Sequence, residues 1–206
     1  EKFVIIEKKE RGFFVQSFKG EYNAKTVLFA TGTKWKKLPS EVKGGQAFEN
    51  KGVNYCALCD APLYRNKTVC VIGGSDSAAK DALVLAEHAK KVYIIYRGEK
   101  IRAEPVNIAR VVAHPKIEVI TKSNVVEVKG KQFVESVVLD RAYNGNTELP
   151  LNGVFVAIGH IVLSDLAKPL GVTLNEKGEI VLNHKTSETN IAGVFAAGDV
   201  ADKPFK

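Results

Sequence analysis

A Rossmann-like α/β fold is predicted by three observations on this chain of 206 residues. Residues 68–96 read as an apolar strand, a Gly-Gly break, an alanine-rich helix and a second apolar strand, the order of a βαβ unit. Three further apolar runs stop abruptly at glycine: residues 26–30 before Thr31-Gly32, residues 154–158 before Gly159, and residues 194–197 before Gly198-Asp199. A composition of 45% hydrophobic and 26% charged residues is that of an ordinary globular protein, which excludes disorder, collagen-like repeats and a disulfide-stapled mini-protein. The length suffices for one large domain or two modest ones.

Taken in order, residues 3–7 and 13–18 form a predicted strand pair around Glu10-Arg11-Gly12. Residues 33–52 carry Lys, Gly and Pro with little periodicity and read as a linker. Cys56-Ala57-Leu58-Cys59 is expected on one short helical turn, because Pro62 disfavours helical geometry at Ala61. Asp76 or Ser77 is placed to cap a helix running to about Lys90, with Ala78, Ala82, Leu85, Ala86 and Ala89 near one face. Residues 92–96 form the second strand of the unit. Residues 117–129 and 133–140 alternate like antiparallel strands, and Tyr143-Asn144-Gly145-Asn146 signals a turn. The longest apolar runs are about five residues, far short of the ~18 needed to span a membrane.

The chemistry concentrates in three places. Gly73-Gly74-Ser75-Asp76-Ser77-Ala78 follows a strand and opens a helix, the context in which such a pattern binds a dinucleotide. There the first glycine makes the tight turn, the second lets backbone approach the pyrophosphate, and a small third residue brings helix and strand together. Gly73 and Ala78 fill the first and third roles, and Ser75 departs from the second. At the end of the second strand, Arg97 and Arg102 stand where an NAD site offers an acid; a guanidinium there pairs with a 2′-phosphate, so NADPH is favoured over NADH.

Cys56 and Cys59, three positions apart on one turn, have Cβ atoms roughly 5–6 Å apart, close to what a disulfide needs. The competing reading is half a zinc site, but Cys70 lies in an apolar strand and the four His are scattered, so redox cycling is preferred and no metal is expected. Cys70 reads as a small buried hydrophobe. Asp60 has two readings: an ionised bystander that disfavours the neighbouring thiolate, or a general acid for a departing thiolate.

The order Cys56-x-x-Cys59-Asp60, Gly73-Gly74, Arg97-x-x-x-x-Arg102-Ala103-Glu104, Val154-Phe155-Val156-Ala157-Ile158-Gly159-His160 and Gly193-Val194-Phe195-Ala196-Ala197-Gly198-Asp199-Val200 resembles the low-molecular-weight thioredoxin reductases, class II pyridine nucleotide-disulfide oxidoreductases. The resemblance runs from about Val27 onward. It implies a three-layer NADPH domain inserted into an FAD domain, with residues 1–35 and 160–206 as FAD-domain pieces and 36–159 as the NADPH domain. It also implies that Thr31-Gly32 lies near the flavin nucleotide and that Gly198-Asp199-Val200 binds the FAD pyrophosphate and ribityl region. Cys59 would then take electrons from reduced FAD, Cys56 would attack thioredoxin or a thioredoxin-like protein, and Asp60 would supply or accept the proton. Leu58 stands where Thr is common, and Gly98 where many members carry a second consecutive Arg. Another disulfide acceptor, of peroxiredoxin type or of low molecular weight, and a non-catalytic NADP(H)-binding module are the alternatives.

The chain contains no Met, opens on strand-like sequence, and lacks the family's N-terminal FAD fingerprint and the Arg-Gln that follows its Gly-Asp motif. A piece of a longer protein is expected, with the FAD domain truncated. The net charge of +7, from 30 basic and 23 acidic residues, is spread along the chain, which reads as a solvated surface with no nucleic-acid or membrane partner. Three Cys without a visible signal peptide fit a reducing cytoplasm. A homodimer is what the resemblance implies.

Overall fold

The computed structural model of the chain describes residues 3–203. It divides into two compact units, one taking residues up to Lys34 and from His160 onward, the other running Trp35–Gly159. The first unit opens with strands β1 (Phe3–Lys9), β2 (Gly12–Ser17) and β3 (Glu21–Ala24), an antiparallel sheet in which Ile6 lies opposite Val15 and Val15 opposite Tyr22. Strands β4 (Val27–Phe29) and β5 (Thr33–Trp35) follow.

The second unit contains β6 (Val53–Asn54), helix α1 (Ala57–Asp60) continuing into a 3-10 turn (Ala61–Tyr64), β7 (Thr68–Ile72), α2 (Asp76–His88), β8 (Lys91–Ile95), α3 (Pro105–Ala113) and β9 (Ile117–Ile120). Strands β10 (Val125–Gly130), β11 (Val134–Tyr143), β12 (Asn146–Pro150) and β13 (Gly153–Val156) complete it. Its centre is a parallel sheet of order β6-β13-β7-β8-β9. Successive side chains of a strand face opposite ways. Val69, Val71, Val92, Ile94 and Phe155 therefore pack with Ala78, Ala82 and Leu85 of α2, while Cys70, Ile95, Val154 and Val156 pack with Val128, Val137 and Leu139 of the antiparallel β10-β11-β12 sheet. The unit has three layers: helices, parallel sheet, antiparallel sheet. Burial on both faces explains why β7 and β13 are uninterrupted apolar runs, and full burial of Leu85 contributes about 2 kcal/mol.

The chain then returns to the first unit through β14 (His160–Val162), which pairs with β5, and β15 (Val194–Ala196), which pairs in parallel with β4. Ile6, Phe13, Phe29, Ile180, Val194 and Ala196 form this unit's core. The α/β class is thus the one expected. Among the described residues no helix is long and apolar enough to cross a membrane.

Four local expectations are corrected. The stretch 33–52 is no loose linker: Leu38 is buried, Lys43 bridges to Glu127, and Gly44 lies so close to the Val128 carbonyl that a Cβ would meet its oxygen at 2.2 Å. Residues 117–129 form two strands in two different sheets, separated where Lys122 adopts φ 54°. Ala61 is helical (φ −52°, ψ −39°), because a 3-10 turn takes over with Pro62 at an early position where no N–H is needed. The cap of α2 is Ser75 rather than Asp76 or Ser77, and the helix stops at His88, two residues short of Lys90.

Candidate functional site

Cys56 and Cys59 form a disulfide with Cα atoms 5.3 Å apart. Cys56 caps α1 in extended geometry, and the backbone N–H of Cys59 donates to its sulfur at 3.2 Å. On reduction that contact favours the thiolate at Cys56, since a hydrogen bond to a charged acceptor is the stronger kind. Cys56 is half-buried and Cys59 exposed, with Leu58 standing 80% exposed between them. Asp60 is half-buried one residue on, its N–H donating to the Cys56 carbonyl at 3.1 Å. Among the described residues no cluster of three or more His, Cys, Asp or Glu is placed to hold a metal.

The residue that precedes Cys56 is held by side-chain contacts. The Tyr55 hydroxyl donates to Glu49 at 2.8 Å, Lys37 donates to the other oxygen of Glu49 at 2.7 Å, and Trp35 stacks near Tyr55 with ring centres 6.4 Å apart. The Lys37 ammonium holds the Glu49 carboxyl below its usual range, and burial pushes the Tyr55 phenol up. Beyond the disulfide, Asn54 donates to the Tyr64 hydroxyl at 2.7 Å and Tyr64 packs edge-on against Phe155. Burial raises the Tyr64 phenol pKa, opposed by the Asn54 bond and assisted by the Asp60 charge.

The same unit carries the glycine turn. Gly73 has φ 147°, and a Cβ on it would meet the Ala157 carbonyl oxygen at 2.3 Å, so the tight turn demands glycine. Ser75 caps α2 without a side-chain hydrogen bond, so its hydroxyl does not occupy the first N–H groups of a 13-residue helix, an arrangement suited to an anion. Ala78 is fully buried in the core between α2 and the parallel sheet, and Ser77 is exposed. Asp76 turns inward along the surface: one oxygen accepts from the Glu104 N–H at 3.1 Å and the Asn107 amide at 2.8 Å, and the other pairs with Lys80 at 2.7 Å. These contacts, Lys80 foremost, lower its pKa to about 2.

Arg102 is brought to this turn by backbone, donating its N–H to the Gly74 carbonyl at 2.6 Å and bridging to Ser75. Arg97 is exposed, and its side chain has no hydrogen-bonding or ring partner among the described residues. In the other unit, Gly32 and Gly198 both have positive φ (65° and 77°), and a Cβ added to either would have nothing within 4 Å. The Thr31 hydroxyl donates to the Leu163 carbonyl at 2.6 Å. Gly198–Val200 form a single 3-10 turn in which Asp199 is exposed and Val200 buried.

A model of the pyridine nucleotide-disulphide oxidoreductase family matches residues 1–206. The chain belongs to that family. It is 37% identical over 189 residues to the thioredoxin reductase of Yarrowia lipolytica, covering 90% of this chain and 58% of that protein. It is likewise 37% identical over 208 residues to the thioredoxin reductase of Chlamydia pneumoniae, covering 98% and 66% respectively. The crystal structure of Lactococcus lactis thioredoxin reductase in its FR conformation matches with a TM-score of 0.85 at 33% identity, over 100% of this chain and 67% of that one. The chain spans 58% and 66% of the length of these two curated relatives.

Some residues around the site of this family member escape sequence reasoning. Glu49 and Tyr55 meet across a local turn closed by Val53 N–H to the Phe48 carbonyl and by the Glu49–Val53 bridge, which no motif announces. Asn107 reaches Asp76 from 31 positions away. Asp81 had a signal: an acid within the alanine-rich buried stripe of α2, where burial pushes its carboxyl up to about 6.

Proposed function

We propose that this chain carries the nucleotide-binding and dithiol machinery of an NADPH-dependent flavoprotein that reduces the disulfide of thioredoxin or a thioredoxin-like protein. The observation that carries the reading is the Cys56–Cys59 bond on a turn just ahead of β7-α2-β8, within the same compact unit as the glycine turn. The names of the relatives, thioredoxin reductases in each case, support it.

The residues present fit both groups. For NADPH, the start of α2, whose cap Ser75 makes no side-chain hydrogen bond, suits the pyrophosphate, with Gly73 and Gly74 shaping the turn behind Ser75, Asp76, Ser77 and Ala78, and Arg97 and Arg102 offer guanidinium groups to a 2′-phosphate. For FAD, Gly198 and Gly32 leave open the space a side chain would fill, which suits close approach of a pyrophosphate to Gly198-Asp199-Val200 and of the nucleotide to Thr31-Gly32. Residues up to about 35 and from 160 on are accordingly read as FAD-domain pieces, and 36–159 as the NADPH domain. Bound FAD supplies the conversion of a hydride from NADPH into an electron pair for the disulfide.

Once the dithiol is reduced, the Cys56 thiolate, favoured by the Cys59 N–H, attacks one sulfur of the partner disulfide and releases the other as a thiolate. Cys59 then attacks Cys56, re-forming the internal bond and freeing the second partner thiolate. Asp60, half-buried beside the pair, hands a proton to a departing sulfur. A working dithiol fits a reducing cytoplasm, and a homodimer is the expected assembly.

The full-length parent protein should be yellow and should consume NADPH when thioredoxin is supplied. Replacing both cysteines, Cys56→Ser with Cys59→Ser, should abolish thioredoxin-dependent NADPH oxidation. Retained turnover in that variant would refute the dithiol mechanism.

A further inference from the structure

Tyr96 follows β8 directly, its N–H donating to the Ile120 carbonyl at 2.9 Å and its carbonyl accepting from Ser123 at 3.2 Å. Its ring lies flush against two glycines. A Cβ on Gly74 would sit 2.4 Å from the ring's Cγ and Cδ2, and a Cβ on Gly98 would sit 2.5 Å from Cε1 and 2.9 Å from the hydroxyl. Neither glycine has a positive φ, so the backbone does not require glycine at either position; the ring does. On the same ring lies the Arg102 guanidinium, 6.0 Å from its centre. Arg102 is also tied by its N–H to the Gly74 carbonyl at 2.6 Å, while Glu104, two residues on, is tied to Asp76. The glycine turn, the end of β8 and the Arg102 loop thus converge on one aromatic ring.

We propose that Tyr96 is a positioning residue for cofactor discrimination: its ring, held in a slot made by Gly74 and Gly98, orients Arg102 to read the 2′-phosphate of the nucleotide. This rests on the reading of the glycine turn as an NADPH site. The ring's negative face attracts the guanidinium and restricts its swing, so the forked N–H donors are presented in one orientation. Arg97, exposed and without such a support, contributes long-range charge and less discrimination. Gly98 follows from the same geometry, since any side chain there displaces the ring.

The test is calorimetric titration of the protein with adenosine 2′,5′-bisphosphate and adenosine 5′-monophosphate, which differ only in the 2′-phosphate. The ratio of the two affinities is the readout, because damage to the shared adenosine site cancels in it. The unsubstituted protein should prefer the bisphosphate by about tenfold or more. Tyr96→Ala should reduce that ratio about threefold to fivefold, and Tyr96→Phe should keep it. Gly98→Ala should reduce the ratio comparably by displacing the ring, and should have no further effect when added to Tyr96→Ala. A ratio unchanged in both Tyr96→Ala and Gly98→Ala, with the parental preference intact, would overturn the inference alone. Equal binding of the two probes by the unsubstituted protein would overturn the NADPH reading, and the inference with it.

Discussion

Asp81 sits half-buried in α2, and burial raises its pKa from the ordinary carboxylate range to about 6. A group whose folded pKa is raised binds more protons folded than unfolded in the interval between the two values. Stability therefore falls as pH rises from about 4 through about 6, and the penalty is complete at neutral pH. Asp81→Asn should stabilise the protein at pH 7 by about 1 kcal/mol, discounted for the carboxylate's remaining contact with water, and should make no comparable difference at pH 4. Urea unfolding at the two pH values checks this; an equal effect at both would show that the carboxylate is not the cause. At this scale the cysteine pair was legible because three-residue spacing on a turn is a local property. The slot around Tyr96 was not, because Gly74, Tyr96 and Gly98 meet across a strand end and a loop. Gly98 reads in the sequence as a missing arginine and in the structure as room for a ring.

At the scale of elements, Asp76 ties the start of α2 to the start of α3 through the Glu104 N–H and the amide of buried Asn107. Asp76→Ala should destabilise the protein by about 1–2 kcal/mol at neutral pH, because the Asn107 amide loses its acceptor inside the structure. Its folded pKa is lowered to about 2. The pH-dependent part of its contribution is therefore present above the unfolded value near 4 and lost as pH falls toward 2. Unfolding midpoints of parent and variant should converge over that interval, and a gap that persists undiminished at pH 2 would count against the carboxylate's role. The helix α2 was legible in kind because five alanine and leucine positions share a face, yet its cap was misplaced by one or two residues. Asp76 has the composition of a cap but its side chain turns to α3, which only tertiary contact decides. The alternation of residues 117–129 suggested one strand because both halves are half-buried; the break at Lys122 sends them to different sheets.

At the scale of the molecule, the order of motifs carried more than any one of them. A glycine turn alone is a weak signal, but together with the cysteine pair ahead of it and the apolar runs behind it, it pointed to the family that the chain belongs to. A three-layer unit was expected, but not what its third layer is made of, since β10, β11 and β12 look like any antiparallel hairpins until their inward residues are seen on the parallel sheet. That layering seals Cys70, which is fully buried and whose thiol pKa burial pushes up. The three cysteines consequently answer to different events. With a thiol-specific dye, the oxidised native protein should react at none of them, the reduced native protein at Cys56 and Cys59, and the unfolded reduced protein at all three; labelling of Cys70 in the native state would contradict the packing. Cys70 thereby works as an internal clock for opening of the parallel sheet, timing that event independently of the redox state of the Cys56–Cys59 pair.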